Sequence, residues 1–399
     1  MTTVELSDLG MDRGAHLLVR HALRRVGVGE RVAVRGTSPN LAMHLGAWCR
    51  SEGHVVELGS GADDPVAWVT RGGAEVGRWR GAERAGAPAP DDEGAVADKP
   101  SPRWGLAARG ATVEAGGPAF GFKLVDKDEV WTDDAARLYK QAAAAQWDPN
   151  KAIDWEAEFE LPNEVEDAVV QVMTYLVENE TAALIVPARF LAQLHPHFKE
   201  VMQLLAIQAA DEARHIEVFT RRALLKRSEL GLSTVGGQAS LKTLLDEPDF
   251  ALASFLLSVL GEGSFLSLLW FLYEHAPDPV TKQVAQLSAQ DEARHVAFGL
   301  AHLTRHAQRD PTMHGRLAAA IHQRHDALED TAGLNELVFD ALVLLAAGSY
   351  DPADVRRGWD AVVALKEDMD TGRRRRLEKL GFDGEAAAAL SALHTRNFM

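Results

Sequence analysis

The chain has 399 residues, 46% apolar and 25% charged, a globular composition with room for two or three cores that excludes a wholly disordered or fibrous protein. Its 58 acidic against 42 basic side chains give a formal charge of −16, so neither nucleic acid nor a membrane surface is expected as a partner. The single cysteine, Cys49, excludes an internal disulfide, a four-cysteine zinc site and an all-cysteine iron–sulfur cluster. The N-terminus, MTTVELSDLG, lacks the basic-then-apolar order of a signal peptide, and the chain reads as cytoplasmic.

Residues 1–80 alternate strand and helix patterns: Val4-Glu5-Leu6, a helix over 14–26, a strand at 31–34, a helix from Asn40 to Cys49, then strands at 55–58 and 67–70. This predicts a small α/β domain with helices on one face of a short sheet. Residues 81–118 are rich in Gly, Ala, Pro and Asp, without period, and read as a flexible linker. From 119 to 399 helix formers dominate. Breakers at Pro196, Gly231–Gly237, Pro277 and Pro311 leave long helices near 163–195, 197–229, 248–275 and 278–309, with shorter ones after them. Four consecutive helices of this length favour a bundle. Between Phe250 and Tyr273 the only charge is Glu262, so this stretch passes for a membrane span on hydropathy; it is read as a buried bundle helix, with a span carrying a functional acid as the alternative.

The pentad Asp-Glu-Ala-Arg-His occurs at 211–215 and again at 291–295. A lone Glu-x-x-His arises readily by chance, whereas an identical pentad in the middle of two long helices is informative. Glu at i and His at i+3 lie about 300° and roughly 4.5 Å apart along a helix, so both project from one face toward one point. That spacing suits two ligands of one metal. Each pentad follows a helix with an acid in apolar surroundings, Glu180 in the first case and Glu262 in the second, 32 and 30 residues before the pentad glutamate. Each hairpin therefore sets an acid opposite a Glu-x-x-His. Glu180 is preferred to Glu178 because Met173, Leu176, Val177, Ala183 and Leu184 share its helical face. Four carboxylates and two neutral imidazoles carry a charge that cancels two divalent cations, and mixed O and N ligands suit iron or manganese more than zinc.

On these residues, over about 160–310, the sequence resembles the ferritin-like di-iron carboxylate superfamily, with one Glu from each of two helices and Glu-x-x-His from each of the other two. The resemblance implies a mainly α fold: a ferritin-like four-helix bundle with extra C-terminal helices, behind a small α/β domain. It implies two iron ions, Fe–Fe or alternatively Mn–Fe, with Glu180, Glu212 and His215 serving one half and Glu262, Glu292 and His295 the other. Glu212 and Glu292 would bridge. Asp211 and Asp291 take the place of the acids that hold ligand histidines by hydrogen bonds.

Single-bundle ferritins are shorter, and rubrerythrin-type peroxidases usually need a cysteine-rich rubredoxin domain. The radical tyrosine of ribonucleotide reductase small subunits is replaced here by Phe219, with Gly299 at the equivalent place in the second repeat, and the extra histidine of arylamine oxygenases by Ser288. The resemblance therefore implies an oxidoreductase, a di-iron monooxygenase or oxidase that activates O2 to hydroxylate or otherwise oxidise a small organic substrate. Its alternative is a non-catalytic ligand- or metal-binding protein of the R2-like ligand-binding oxidase type. With no flavin or nicotinamide fingerprint in the bundle, an external electron donor or reductase is expected; a homodimer is one option for assembly.

The run from Val19 to Glu30, followed by a strand, a turn at Pro39, a helix ending near Cys49 and a final strand, resembles the TusA-like sulfur-carrier fold. Those carriers have a Cys-Pro-x-Pro nucleophile at the first helix, where this chain has Met11-Asp12-Arg13-Gly14. A degenerate carrier module kept for contact with a protein partner is the expectation, with Cys49 a small buried hydrophobe. Elsewhere, Trp147, Trp155 and Trp270 read as core rather than channel or electron relay. His195 and His197 read as caps, Pro187 as a kink, and Arg373–Arg376 as a solvated helix face.

Overall fold

A computed structural model describes residues 2–61, 64–92, 94–329 and 336–393. The remaining residues of the expected 1–80, 81–118 and 119–399 segments, namely 1, 62–63, 93, 330–335 and 394–399, lie outside the described residues. The chain divides into two compact units, residues 1–85 with 110–118, and residues 86–109 with 119–399.

The first unit runs β1 (Thr2–Glu5), α1 (Ala15–Leu23), β2 (Arg31–Arg35), α2 (Leu41–Glu52), β3 (Val55–Leu58), β4 (Ala67–Thr70), then a short α3 (Ala74–Arg78). The sheet order is β1-β2-β4-β3, with β1 parallel to β2 and the other pairs antiparallel. Central β2 buries Val32, Ala33 and Val34, and its core is completed by Val19, Leu23, Leu41, Leu45 and Cys49. Helix α2 stops at Gly53, whose φ of 74° is the left-handed conformation that a glycine adopts without a Cβ penalty. Cys49 is fully buried, and burial pushes its thiol up to about 11. A two-stranded ribbon, β5 (Glu83–Arg84) with β6 (Thr112–Val113), marks where the chain leaves this unit and returns.

Residues 86–109, expected as part of a linker, pack within the second unit. Low-complexity composition hid their tertiary ties. The Ala97 amide donates to His197 Nε2 at 2.8 Å, His195 Nε2 lies 3.2 Å from the Ser101 carbonyl, and buried Arg109 grips Glu200 through two bonds of 2.8 and 2.5 Å. His195 also caps the turn before the second long helix, accepting from the His197 amide, as the sequence suggested. Replacing Arg109 with methionine strands a buried carboxylate and is expected to cost about 3–5 kcal/mol of stability, measurable by urea unfolding. A truncation at residue 118 would remove the same partner.

The helices of the second unit are α4 (Lys127–Val130), α5 (Ala135–Ala144), α6 (Pro149–Ala152), α7 (Asn163–Leu191), α8 (Lys199–Ala223), α9 (Val235–Asp246) and α10 (Phe250–Ser254). A π-helical stretch, Phe255–Glu262, joins α10 to α11 (Gly263–Glu274). Then come α12 (Pro279–Arg309), α13 (Met313–Glu329), α14 (Glu336–Ala347), α15 (Pro352–Lys379) and α16 (Gly384–Ala392). The unit is mainly α, as expected. Helix α7 packs on α8 and α11 on α12, while α14 covers α7 and α15 covers α11. Helix α7 continues through Pro187. Asp278 caps α12 by accepting from the Thr281 amide, just before a favourable Pro279. The same carboxylate joins Glu166 around Arg222, at 2.7 Å from each, and ties together one end of α7, α8 and α12.

The apolar stretch from Phe250 to Glu274 is mostly buried in the bundle, as is the apolar part of α7. The arginine run is not a solvated face throughout. Arg374 and Arg375 are exposed, but Arg373 is buried on Ser264 and Ser391, and Arg376 Nε donates to the Val259 carbonyl at 2.7 Å. That carbonyl lies in the π-helical stretch, whose shifted bonding leaves room for an outside donor. Arg376 passes over Gly263, where a Cβ would come within 2.4 Å of its Nε.

Candidate metal centre

Six side chains converge at the middle of the bundle, all buried: Glu180 from α7, Glu212 and His215 from α8, Glu262 from the end of the π-helical stretch, and Glu292 and His295 from α12. Glu180, Glu212, His215 and Glu292 bring ligand atoms within 4.8 Å of one another, and so do Glu212, Glu262, Glu292 and His295. Glu212 and Glu292 belong to both groups. Their oxygens are divided between the imidazoles: Glu212 Oε2 is 3.1 Å from His215 Nδ1 and its Oε1 3.0 Å from His295 Nδ1, while Glu292 Oε1 and Oε2 stand 3.3 and 3.4 Å from the same two atoms. Glu180 Oε2 faces His215 alone at 3.6 Å, and Glu262 Oε1 faces His295 at 3.9 Å. The half-sites are thus related by an approximate twofold relation that the duplicated pentad foreshadows. Glu178, the rejected alternative, is only half-buried and joins neither group.

These side chains fit a pair of cations. Glu212 Oε1, Glu262 Oε2, both oxygens of Glu292 and His295 Nδ1 are buried without a hydrogen-bond partner, a costly arrangement unless another group satisfies them. Ligand atoms about 2.1 Å from a common ion lie roughly 3 Å apart, the spacing seen between the bridging oxygens and the imidazoles. Two half-sites with two shared carboxylates can hold two metals. The fold is that of the ferritin-like carboxylate bundles.

The charges show the strain of the unfilled cage. Burial pushes the Glu180 carboxyl well above the usual range, and Glu212 and Glu292 add to this; burial and then Glu292 do the same for Glu262. Glu212 goes the other way: burial raises it, but His295 and His215 together hold it below the ordinary value. Burial disfavours both imidazolium ions, yet the surrounding carboxylates raise both histidines well above theirs.

The outer aspartates cross between helices. Asp291 of α12 faces His215 Nε2 of α8 at 3.2 Å, and Asp211 of α8 faces His295 Nε2 of α12 at 3.2 Å. A neutral imidazole donating through Nε2 keeps its Nδ1 lone pair on the cluster. Arg214 spans both acids, at 2.5 Å from Asp211 and 2.7 Å from Asp291, and Arg294 pairs with Asp291. Both arginines belong to the repeated pentads, so their duplication was a signal in the sequence. Gln146 and Trp147 carry no such signal. Gln146 donates to Asp211 at 2.7 Å, and the Trp147 indole donates to Asp291 at 2.8 Å beneath the Arg214 guanidinium, so Trp147 has a polar role beyond core packing. Trp155 is buried, whereas Trp270 is exposed. Asp291→Asn is expected to weaken metal binding about 10- to 100-fold in a chelator competition, since the His215 ring loses its charged anchor.

On the side away from Trp147, Glu180, Glu262 and Glu292 border a narrow apolar cavity of about 310 Å³, including its mouth, walled by Ala183, Leu244, Leu257 and Phe265. Gln208 donates to Glu262 Oε1 at 2.8 Å and fixes that carboxylate at the cavity edge. Phe219, at the place of a radical tyrosine, is buried with its ring 6.1 Å from His215.

No family model and no curated protein matches the chain. Among solved structures it is similar to variants of an R2-like ligand-binding oxidase. One reconstituted in air with an Mn/Fe cofactor gives 18% identity and a TM-score of 0.49 over 62% of this chain and 94% of that one. Another with an Fe/Fe cofactor gives 18% and 0.45 over 62% and 94%. Protein 19 with aldehyde deformylating oxidase activity, from Synechococcus, gives 17% and 0.41 over 60% and 98%. At these values the likenesses carry no part of the assignment, which stands on the four helices and six side chains themselves.

Proposed function

We propose that the protein is a di-iron oxidoreductase, with manganese–iron as the other filling, that uses O2 to hydroxylate or otherwise oxidise a small, largely apolar molecule. The reading is carried by one observation: a cage of buried, unpartnered carboxylate oxygens opens directly onto an apolar cavity. When bound, the metal pair supplies the electrons and Lewis acidity for reduction of O2. The chain supplies the rest. Glu212 and Glu292 set the separation of the two half-sites, Asp211 and Asp291 hold the imidazoles, and Leu257 and Phe265 line a space that favours an apolar guest over water. The metals would be held by Glu180, Glu212, His215, Glu262, Glu292 and His295.

The N-terminal unit we read as a TusA-like module that docks a protein partner and does not transfer sulfur, in a cytoplasmic enzyme served by an external electron donor. Supporting this, Asp12 stands at the nucleophile position and the Cys49 thiol, buried and pushed up to about 11, yields little thiolate at neutral pH. The function is tested by following O2 uptake by the iron-loaded chain with an external reductant and candidate substrates. The reading expects many O2 consumed per chain with substrate oxidised in step. Uptake that stops after one event per site would favour the non-catalytic alternative.

A further inference from the structure

Behind the wall of the cavity formed by Asn179, Leu244 and Phe265 lies a buried arginine with no acidic partner among the described residues. Arg324, on α13, is 5% exposed, and its guanidinium meets only hydroxyls, Thr243 Oγ1 at 2.5 Å and Ser240 Oγ at 2.9 Å. Other guanidiniums buried in this unit are differently placed: Arg222 has Glu166 and Asp278, Arg109 has Glu200, and Arg373 and Arg376 bond serines and main chain around the π-helical stretch. Thr243 adjoins the cavity residue Leu244. Beside it, the Tyr175 ring stacks on the cavity residue Phe265 at 5.7 Å, and the Tyr175 hydroxyl, within the electrostatic reach of Arg324, is buried without a hydrogen-bond partner.

A buried cation and an unused hydroxyl donor beside an apolar cavity form half of an anion site. We propose that the substrate is a slender monocarboxylate, its carboxylate bound between Arg324 and the Tyr175 hydroxyl and its carbon chain lying in the cavity toward Glu180 and Glu262. This rests on the oxidase reading for its chemistry but not for its binding. Anchoring the acid at this end leaves carbon atoms, not the carboxylate, facing the metal cage. The charge of Arg324, whose burial lowers its pKa to about 10, becomes neutralised only when the ligand enters.

The test is calorimetric binding of hexanoate and of hexan-1-ol to the full-length chain, loaded with ferrous iron under argon, with iron content measured on each sample. Hexanoate should bind roughly 10- to 100-fold more tightly than the alcohol, the range for a charge-assisted contact. Arg324→Gln should abolish that preference and Arg324→Lys restore part of it. Tyr175→Phe should weaken hexanoate several-fold without lowering Tm, because it removes a hydroxyl that the fold does not use; this variant decides the matter if Arg324→Gln fails to fold. No preference in the wild type, a folded Arg324→Gln that keeps it, or a preference lost on iron removal alone would overturn the proposal. Two irons bound with no preference refutes the carboxylate site and spares the oxidase reading. Preference retained by a chain that takes up no iron does the reverse.

Discussion

Glu212→Ala is expected to reduce bound iron from two per chain to well under one, while Glu180→Ala loses mainly one of the two. The difference follows from geometry. Each oxygen of Glu212 faces a different imidazole, so its loss opens both half-sites, whereas Glu180 approaches only His215. Neither variant should unfold the bundle, because the metal-free cage is a burden on the fold. Deleting a buried carboxyl whose ionisation burial already disfavours should leave metal-free Glu180→Ala at least as stable as metal-free wild type, apart from the small cavity created. Metal analysis after gel filtration, paired with thermal melts, checks both statements. Equal iron retention in the two variants would remove the bridging role of Glu212.

The second large effect is on pH dependence. In the metal-free chain Glu180 and Glu262 hold protons well above the usual carboxylate pKa of 4.5, and His215 and His295 hold theirs well above 6.5. For a group whose pKa is raised by folding, its contribution to stability is fully present below the unfolded value and lost as pH rises through the folded one. All four groups act in the same direction above pH 6. Glu212, held low, acts oppositely but only in acid, below 4.5. The metal-free protein should therefore lose Tm on the order of 5 °C or more between pH 6 and pH 9, while the metal-loaded protein does not. Metal uptake at pH 7 should release about two to four protons per chain, since cations displace them from these same groups. Titration in buffers of different ionisation enthalpy reads that number directly. Uptake without proton release would contradict the assigned ligand set.

Much of this centre was legible because its signals are local. Glu-x-x-His fixes two side chains on one helical face whatever surrounds it, and a lone acid in an apolar stretch, as at Glu262, demands a partner. The divided allegiance of Glu212 and Glu292 and the crossed pairing of Asp211 with His295 depend on the register of α8 against α12, which no single helix encodes. The π-helical stretch leaves no compositional mark either, although it sets where Glu262 projects. Two readings failed for related reasons. Arg373-Arg374-Arg375-Arg376 looks solvated when judged by charge alone, yet a helix packed on one side must turn some of four consecutive residues inward. Residues 86–109 look flexible by composition, yet Arg109 meets a buried acid 91 positions later.

The central claim, that six side chains form a two-metal site, is tested most directly by titrating the metal-free chain anaerobically with Fe(II) and measuring bound iron after desalting. The account predicts saturation at two irons per chain, with the second site lost in Glu262→Ala and both in Glu212→Ala. Saturation at one ion, a preference for a single zinc, or binding indifferent to both substitutions would contradict it.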